Sequence, residues 1–161
     1  MNAWFRLPWI IGISTICIGA VVTISGANAM DVEGLTTIKS SYGPKETMDR
    51  LEAEVKARGL TVFARINHAA GAAQADLALR PTEVLVLGNA KGGTPLMQAS
   101  QSIGIDLPLR VLVWEDDSGQ IWLAYNEPSW LAKRHGLGPG SPSVDALAAA
   151  LRVLAKKATA P

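Results

Sequence analysis

The chain has 161 residues, a formal charge of +1, 48% hydrophobic and 18% charged residues, and one cysteine. That length suits a single domain able to bury its own core. A near-neutral balance with no long basic run argues against nucleic acid or an anionic membrane surface as partner, and a lone thiol excludes an internal disulfide or a cysteine metal cluster.

In chain order, Arg6 and the free amine precede an uncharged apolar run from Trp9 to Ile24, which ends in Ala27-Asn28-Ala29. This is the three-part pattern of a Sec-type leader with a small-x-small exit. The expected organisation is a signal peptide over 1–29 and one domain over 30–161, periplasmic or secreted. The apolar run is shorter than the roughly 20 residues of a membrane span. Left uncleaved, this segment would be the only membrane contact. The lone cysteine, Cys17, follows Ser14-Thr15-Ile16, which lacks the small residues of a lipobox.

Leu35 to Ser41 reads as a first strand. Gly43-Pro44 opens a helix that carries Met48, Leu51 and Val55 at helical spacing and closes at Gly59. Leu60 to Asn67 alternates, which predicts a strand with Leu60, Val62, Ala64 and Ile66 on one face. A short alanine-rich helix from His68, a buried strand over 82–87 and a glycine loop over 88–93 follow. Thr94-Pro95 is expected to cap a short helix that runs to about Ser102. Strands over 109–115 and 120–126 flank Asp116-Asp117-Ser118-Gly119, a hairpin turn. A short helix from Pro128 to Gly136 precedes a last helix, with Val144, Leu147, Leu151 and Leu154 on one face. This order predicts an α+β domain, with a mainly antiparallel sheet and helices packed on one face.

Several strings carry candidate chemistry. His68 and His135 are the only histidines, and both fall at element ends. They suit either structural capping or an acid/base or metal role. Asn89, Lys91 and Thr94 lie in the glycine loop, where free N–H groups could hold an anion, although no Gly-Lys-Thr of a Walker loop occurs. Asn126 precedes Glu127-Pro128 at another strand end. No serine lies in a nucleophile elbow, so sequence gives no support for a hydrolase triad. Trp114, Trp122 and Trp130 cluster with Tyr125 and suit a core, a cleft or a self-association surface.

The strings Ala64-Arg65-Ile66-Asn67-His68-Ala69-Ala70-Gly71-Ala72, Leu87-Gly88-Asn89-Ala90-Lys91-Gly92-Gly93-Thr94-Pro95, Leu109-Arg110-Val111-Leu112-Val113-Trp114-Glu115-Asp116, Ala124-Tyr125-Asn126-Glu127-Pro128 and Arg134-His135-Gly136 resemble the family of domains of unknown function numbered 302. The resemblance implies a TATA-binding-protein-like β-α-β(4)-α arrangement and self-association. It implies no reaction, and the cofactor is left unknown. The family pattern carries an aspartate where this chain has Asn67, which weakens a carboxylate–histidine role there.

The functional expectation is a non-enzymatic module that binds a small molecule or a partner, and that forms a homodimer. The ligand-binding set would be His68, Asn89, Lys91, Thr94, Asn126 and His135. The alternative is a metal protein or enzyme using His68 and His135. No cofactor and no metal is identified. The leader makes one prediction by itself: amino-terminal sequencing of the exported protein should find cleavage after Ala29 and a start at Met30, whereas an intact Met1 would make the segment an anchor.

Overall fold

The computed structural model describes residues 32–161, so the expected leader, Cys17 included, lies outside the described residues. Five strands form one antiparallel sheet in the order β1-β5-β4-β3-β2. The strands are β1 (Leu35–Lys39), β2 (Thr61–Asn67), β3 (Thr82–Gly88), β4 (Leu109–Glu115) and β5 (Ile121–Asn126). The helices are α1 (Pro44–Ala57), α2 (His68–Gln74), α3 (Ala90–Ala99), α4 (Pro128–Arg134) and α5 (Pro142–Thr159), with a 3-10 turn over Gln101–Ile105. With the short helices α2, α3 and α4 set aside, the order is β-α-β(4)-α, the arrangement the resemblance implied. The fold is α+β, as the periodicities predicted.

Period-two alternation puts Leu85 and Leu87 of β3, Val111 and Val113 of β4, and Leu123 and Tyr125 of β5 on one face. Met48, Leu51 and Val55 of α1 and Leu151, Leu154 and Ala158 of α5 close over that face, and all join one buried cluster. Each fully buried leucine stabilises the fold by roughly 1.5–3 kcal/mol. Proline stands in the first turn of α1, α4 and α5, where its missing N–H has no helical partner to lose. Gly59 and Gly136, at φ +68° and +72°, take the left-handed conformation that ends α1 and α4.

Two expectations need correction. The first is the phase of β2. A bulge between Val62 and Ala64 inserts Phe63, so the strand does not present one apolar face. Leu60 and Val62 pack on the core, while Ile66 pairs with Val84 on the opposite face and is 44% exposed. The shift brings Arg65 to the helical side. There its guanidinium meets Asp49 at 2.7 Å and Glu52 at 3.0 Å on α1, and Glu83 at 2.7 Å on β3. Those carboxylates hold Arg65 firmly protonated, Glu83 most of all. The Asp49 and Glu52 carboxyls sit below their usual values, through hydrogen bonds from Lys45 and Lys56 respectively and then from Arg65.

The second is the start of α3. The helix begins at Ala90, so the expected loop over 88–93 supplies its first turn. The cap is Asn89, whose Oδ1 accepts from Gly92 N–H at 2.7 Å. Thr94 is not a cap, and Pro95 lies inside the helix.

The sheet's other face carries Trp114 and Trp122 directly opposite each other, with ring centroids 6.4 Å apart. Trp122 Nε1–H donates to Asp116 Oδ2 at 2.7 Å, and the Lys39 ammonium lies 5.3 Å from its ring centre. In the hairpin turn Asp116 Oδ1 also accepts from the Ser118 hydroxyl at 2.6 Å and from the Gln120 amide at 2.9 Å. The Ser118 and Trp122 bonds, in that order, lower the Asp116 carboxyl to about 2.

Because the folded value lies below the unfolded one, this stabilisation is complete above the ordinary carboxyl range and disappears as pH falls toward 2. Acid titration should therefore change Trp122 emission between about pH 4 and pH 2, and Asp116→Asn should remove that part of the change. An unchanged profile in the variant would place the acid sensitivity elsewhere.

Candidate functional site

The antiparallel register separates the sequence candidates. Asn67 pairs with Glu83, whereas Thr61 pairs with Gly88, so His68 and Asn89 follow opposite ends of the β2–β3 pair. The interval from Glu83 to Gly88 spans about 17 Å at the usual rise. His68 and Lys91 therefore do not share a small-ligand pocket. His68 is exposed at the first position of α2, where Asn67 Oδ1 caps the helix by accepting from Ala70 N–H at 2.8 Å. Lys91 and Thr94 are exposed on α3.

Asn126 is exposed at the end of β5, opposite Leu35. The corner after it is occupied by the fold itself. Glu127 N–H donates to Gly34 O at 2.8 Å, and the Thr36 hydroxyl donates to the Glu127 carboxylate. Trp130 packs over Gly34 and against the main core, so the tryptophan cluster splits, with Trp114 and Trp122 on the outer face and Trp130 half-buried beside the core. A β-carbon at Gly34 would lie 2.2 Å from the Trp130 ring, which fixes glycine there. Tyr125 is buried in the core, and that burial raises its phenol above the ordinary value.

His135 and Asn89 belong to the same end of the sheet, which α3, the 3-10 turn and α4 surround. A cavity of about 200 Å³ opens there. Gly88 and Leu109 come from the strand ends, Phe63 from the β2 bulge, and Leu107 and Pro108 from the link into β4. Ala90, Gly93 and Met97 of α3 and Leu147 of α5 complete the wall. Among the described residues Asn89 is the only polar side chain in the lining, and its cap bond leaves the Nδ2 donor without a protein partner there. Gly92 makes this closure fit, because a β-carbon there would crowd Asn89 Oδ1 at 3.2 Å and Leu147 at 3.4 Å. At Gly88 an added β-carbon meets Pro108 and Phe63 only at 3.7 and 3.9 Å, so the cavity has room on that side.

On a neighbouring surface His135, at the C-terminus of α4, is held from both ring nitrogens. Its Nδ1 lies 2.8 Å from Ser102 Oγ, and its Nε2 lies 2.7 Å from Asp106 Oδ2. Arg134 reaches the same carboxylate at 3.2 Å. Ser102 and Asp106 escaped sequence reasoning because they lie 33 and 29 residues before His135, in and just after a 3-10 turn that no motif marks. Among the described residues, no group of three histidine, cysteine, aspartate or glutamate side chains is placed to hold a metal ion. Nor is any helix there long and apolar enough to cross a membrane.

Comparison with known proteins follows the same boundaries. The family model described as domain of unknown function DUF302 matches residues 36–157. A crystal structure of an uncharacterised conserved DUF302 protein from Bacillus stearothermophilus superposes with a TM-score of 0.64 at 19% identity, covering 80% of this chain and 97% of that one. At that identity the likeness concerns the fold. The fluoride-specific ion channel FluC 1 of Brucella suis is 50% identical over 108 residues, 67% of this chain and 42% of the relative. FluC 2 of Brucella melitensis is likewise 50% identical over 108 residues, 40% of its length. The chain thus spans about two fifths of the curated relatives it matches.

Proposed function

The chain belongs to the DUF302 family, and on that premise we propose that its domain binds a small, uncharged, mainly apolar molecule in the cavity beside Asn89. The observation that carries this reading is the lining: apolar groups from five elements, with one amide donor free to orient a ligand. Burying a charge against such walls would cost several kcal/mol without a partner. At about 200 Å³ the space is smaller than the roughly 300–1,000 Å³ of drug-sized sites, so it suits one ring or a short aliphatic chain and not a nucleotide. The apolar leader over 1–29 supports a periplasmic or secreted place of action.

The names of the Brucella relatives do not by themselves transfer ion conduction to this chain. Most of the aligned stretch falls within the described domain, which offers no membrane-crossing helix.

A second observation favours self-association. Ile66, Val84 and Leu112 form a row across three neighbouring strands on the face away from α1 and α5, and each is at least partly exposed. A second copy laid on this face would cover them.

Two experiments test these readings. Gly88→Val should fill the cavity and weaken binding of an uncharged apolar fluorophore at least about tenfold, with a stability change below about 1.5 kcal/mol. Unchanged binding would remove the cavity from consideration. Leu112→Glu should convert a dimer to monomer in sedimentation at micromolar concentration. A wild-type protein that sediments only as monomer would end the self-association reading.

A further inference from the structure

The Ser102–His135–Asp106 chain lies apart from the cavity, since none of the three residues lines it. With His135 as a neutral imidazole, the hydrogen-bond pattern fits one tautomer. Asp106 Oδ2, 2.7 Å from His135 Nε2, accepts the proton of that nitrogen in a neutral imidazole. Nδ1 then offers a lone pair, and Ser102 Oγ at 2.8 Å is placed to donate its hydroxyl proton to it. Ser100, the other hydroxyl nearby, donates to His135 O at 3.0 Å, while its contact with Ser102 is longer, at 3.2 Å. One tautomer thus satisfies every group and leaves Ser102 Oγ poised beside a base.

Burial grades the three residues. The Asp106 and His135 side chains are 9% and 8% exposed, whereas Ser102 is open to solvent. Arg134 at 3.2 Å and Arg110 at 4.0 Å fix the carboxylate, which in turn fixes the ring. Residues three apart fall on one side of a 3-10 turn, which puts Ser102 and Ile105 on the same side of Gln101–Ile105. Ile105 is 71% exposed, an uncovered apolar side chain on the side of the turn that carries the Ser102 hydroxyl.

We propose that Ser102 is a nucleophile toward small carboxylic esters with an apolar acyl chain, with His135 as its base and Asp106 as the residue that positions His135. Ser102 Oγ forms a bond to the ester carbonyl carbon while its proton passes to His135 Nδ1. The bond to the alcohol oxygen breaks, and that oxygen leaves with the proton from Nδ1. Water then attacks the acyl-Ser102 carbonyl, giving one proton to Nδ1. Ser102 Oγ departs and recovers that proton, so that ester and water become acid and alcohol.

The probe is an uncharged alkyl fluorophosphonate applied to the purified full chain, with the labelled serine located by peptide mass mapping. Ser129, exposed on α4, serves as the internal reference. Ser102 should be labelled at least about 100-fold faster than Ser129, the scale of base assistance. His135→Asn should abolish that advantage, and Ser102→Ala should lose hydrolysis of p-nitrophenyl butyrate above background. The Ser102 site is exposed, so that variant keeps its fold, and the wild-type Ser102 to Ser129 ratio decides the matter even where a buried variant does not fold. Equal labelling of Ser102 and Ser129, or equal hydrolysis by wild type and S102A, would overturn the proposal and leave the chain as a strap tying α4 to the 3-10 turn. Neither result bears on ligand binding in the cavity, which Gly88→Val tests separately.

Discussion

Burial of one sheet face under α1 and α5 is the constraint from which the rest of the molecule follows. The apolar stripes of the two long helices meet alternate residues of β3, β4 and β5, and the dense cluster they form includes Leu51, Leu85, Leu123 and Leu154. Those helices reach only part of the sheet. The end where β3 finishes and β4 begins is closed instead by α3, the 3-10 turn and α4, around a second cluster of Leu96, Ile103, Ala132 and Val144. Short elements fill less space than long ones, and the cavity lies where these two packings meet, with Leu107 and Leu147 touching both clusters and its interior. The site is thus a product of how the helices divide the sheet between them.

The bulge at Phe63 does for β2 what the helices do for the centre. It turns a strand that would have been uniformly apolar on one side into one that anchors both layers. Val62 goes to the core, Phe63 to the cavity wall and Arg65 under α1. The Arg65 side chain remains 27% exposed, so its three carboxylate contacts are screened and contribute modestly to stability. Their geometric effect is larger. An arginine fork held by Asp49, Glu52 and Glu83 allows one register between α1, β2 and β3.

Much of this was legible in the sequence where a residue's chemistry is local. Pro44, Pro128 and Pro142 mark helix starts, Gly59 and Gly136 mark helix ends, and Asp116 to Gly119 mark the hairpin, because each acts within one turn of itself. The β-α-β(4)-α order and the core residues of α1 and α5 follow from periodicity in the same way. What stayed hidden depends on partners distant in sequence. The extra residue in β2 shows only when Val62 and Ala64 are set against Leu87 and Val86. Asn89 outcompetes Thr94 as cap because the backbone of Gly92 can approach it closely. His68 and His135 looked like a pair because both sit at element ends, but an antiparallel register sends those ends in opposite directions. His135 finds its partners in and just after a 3-10 turn that the sequence does not mark.

In the proposed reading the ligand site belongs to the end of the sheet closed by α3 and α4, and not to the end that carries His68. Two-dimensional NMR of the isotope-labelled protein, titrated with an uncharged single-ring or short-chain probe, tests this most directly. Shifts should be confined to Phe63, the Gly88–Gly93 backbone, Leu147 and the Met97 methyl, with His68 and Trp114 unmoved. Shifts that cluster instead on His68, Leu79 and Trp114, or a saturating titration that leaves Met97 and Leu147 unperturbed, would contradict it.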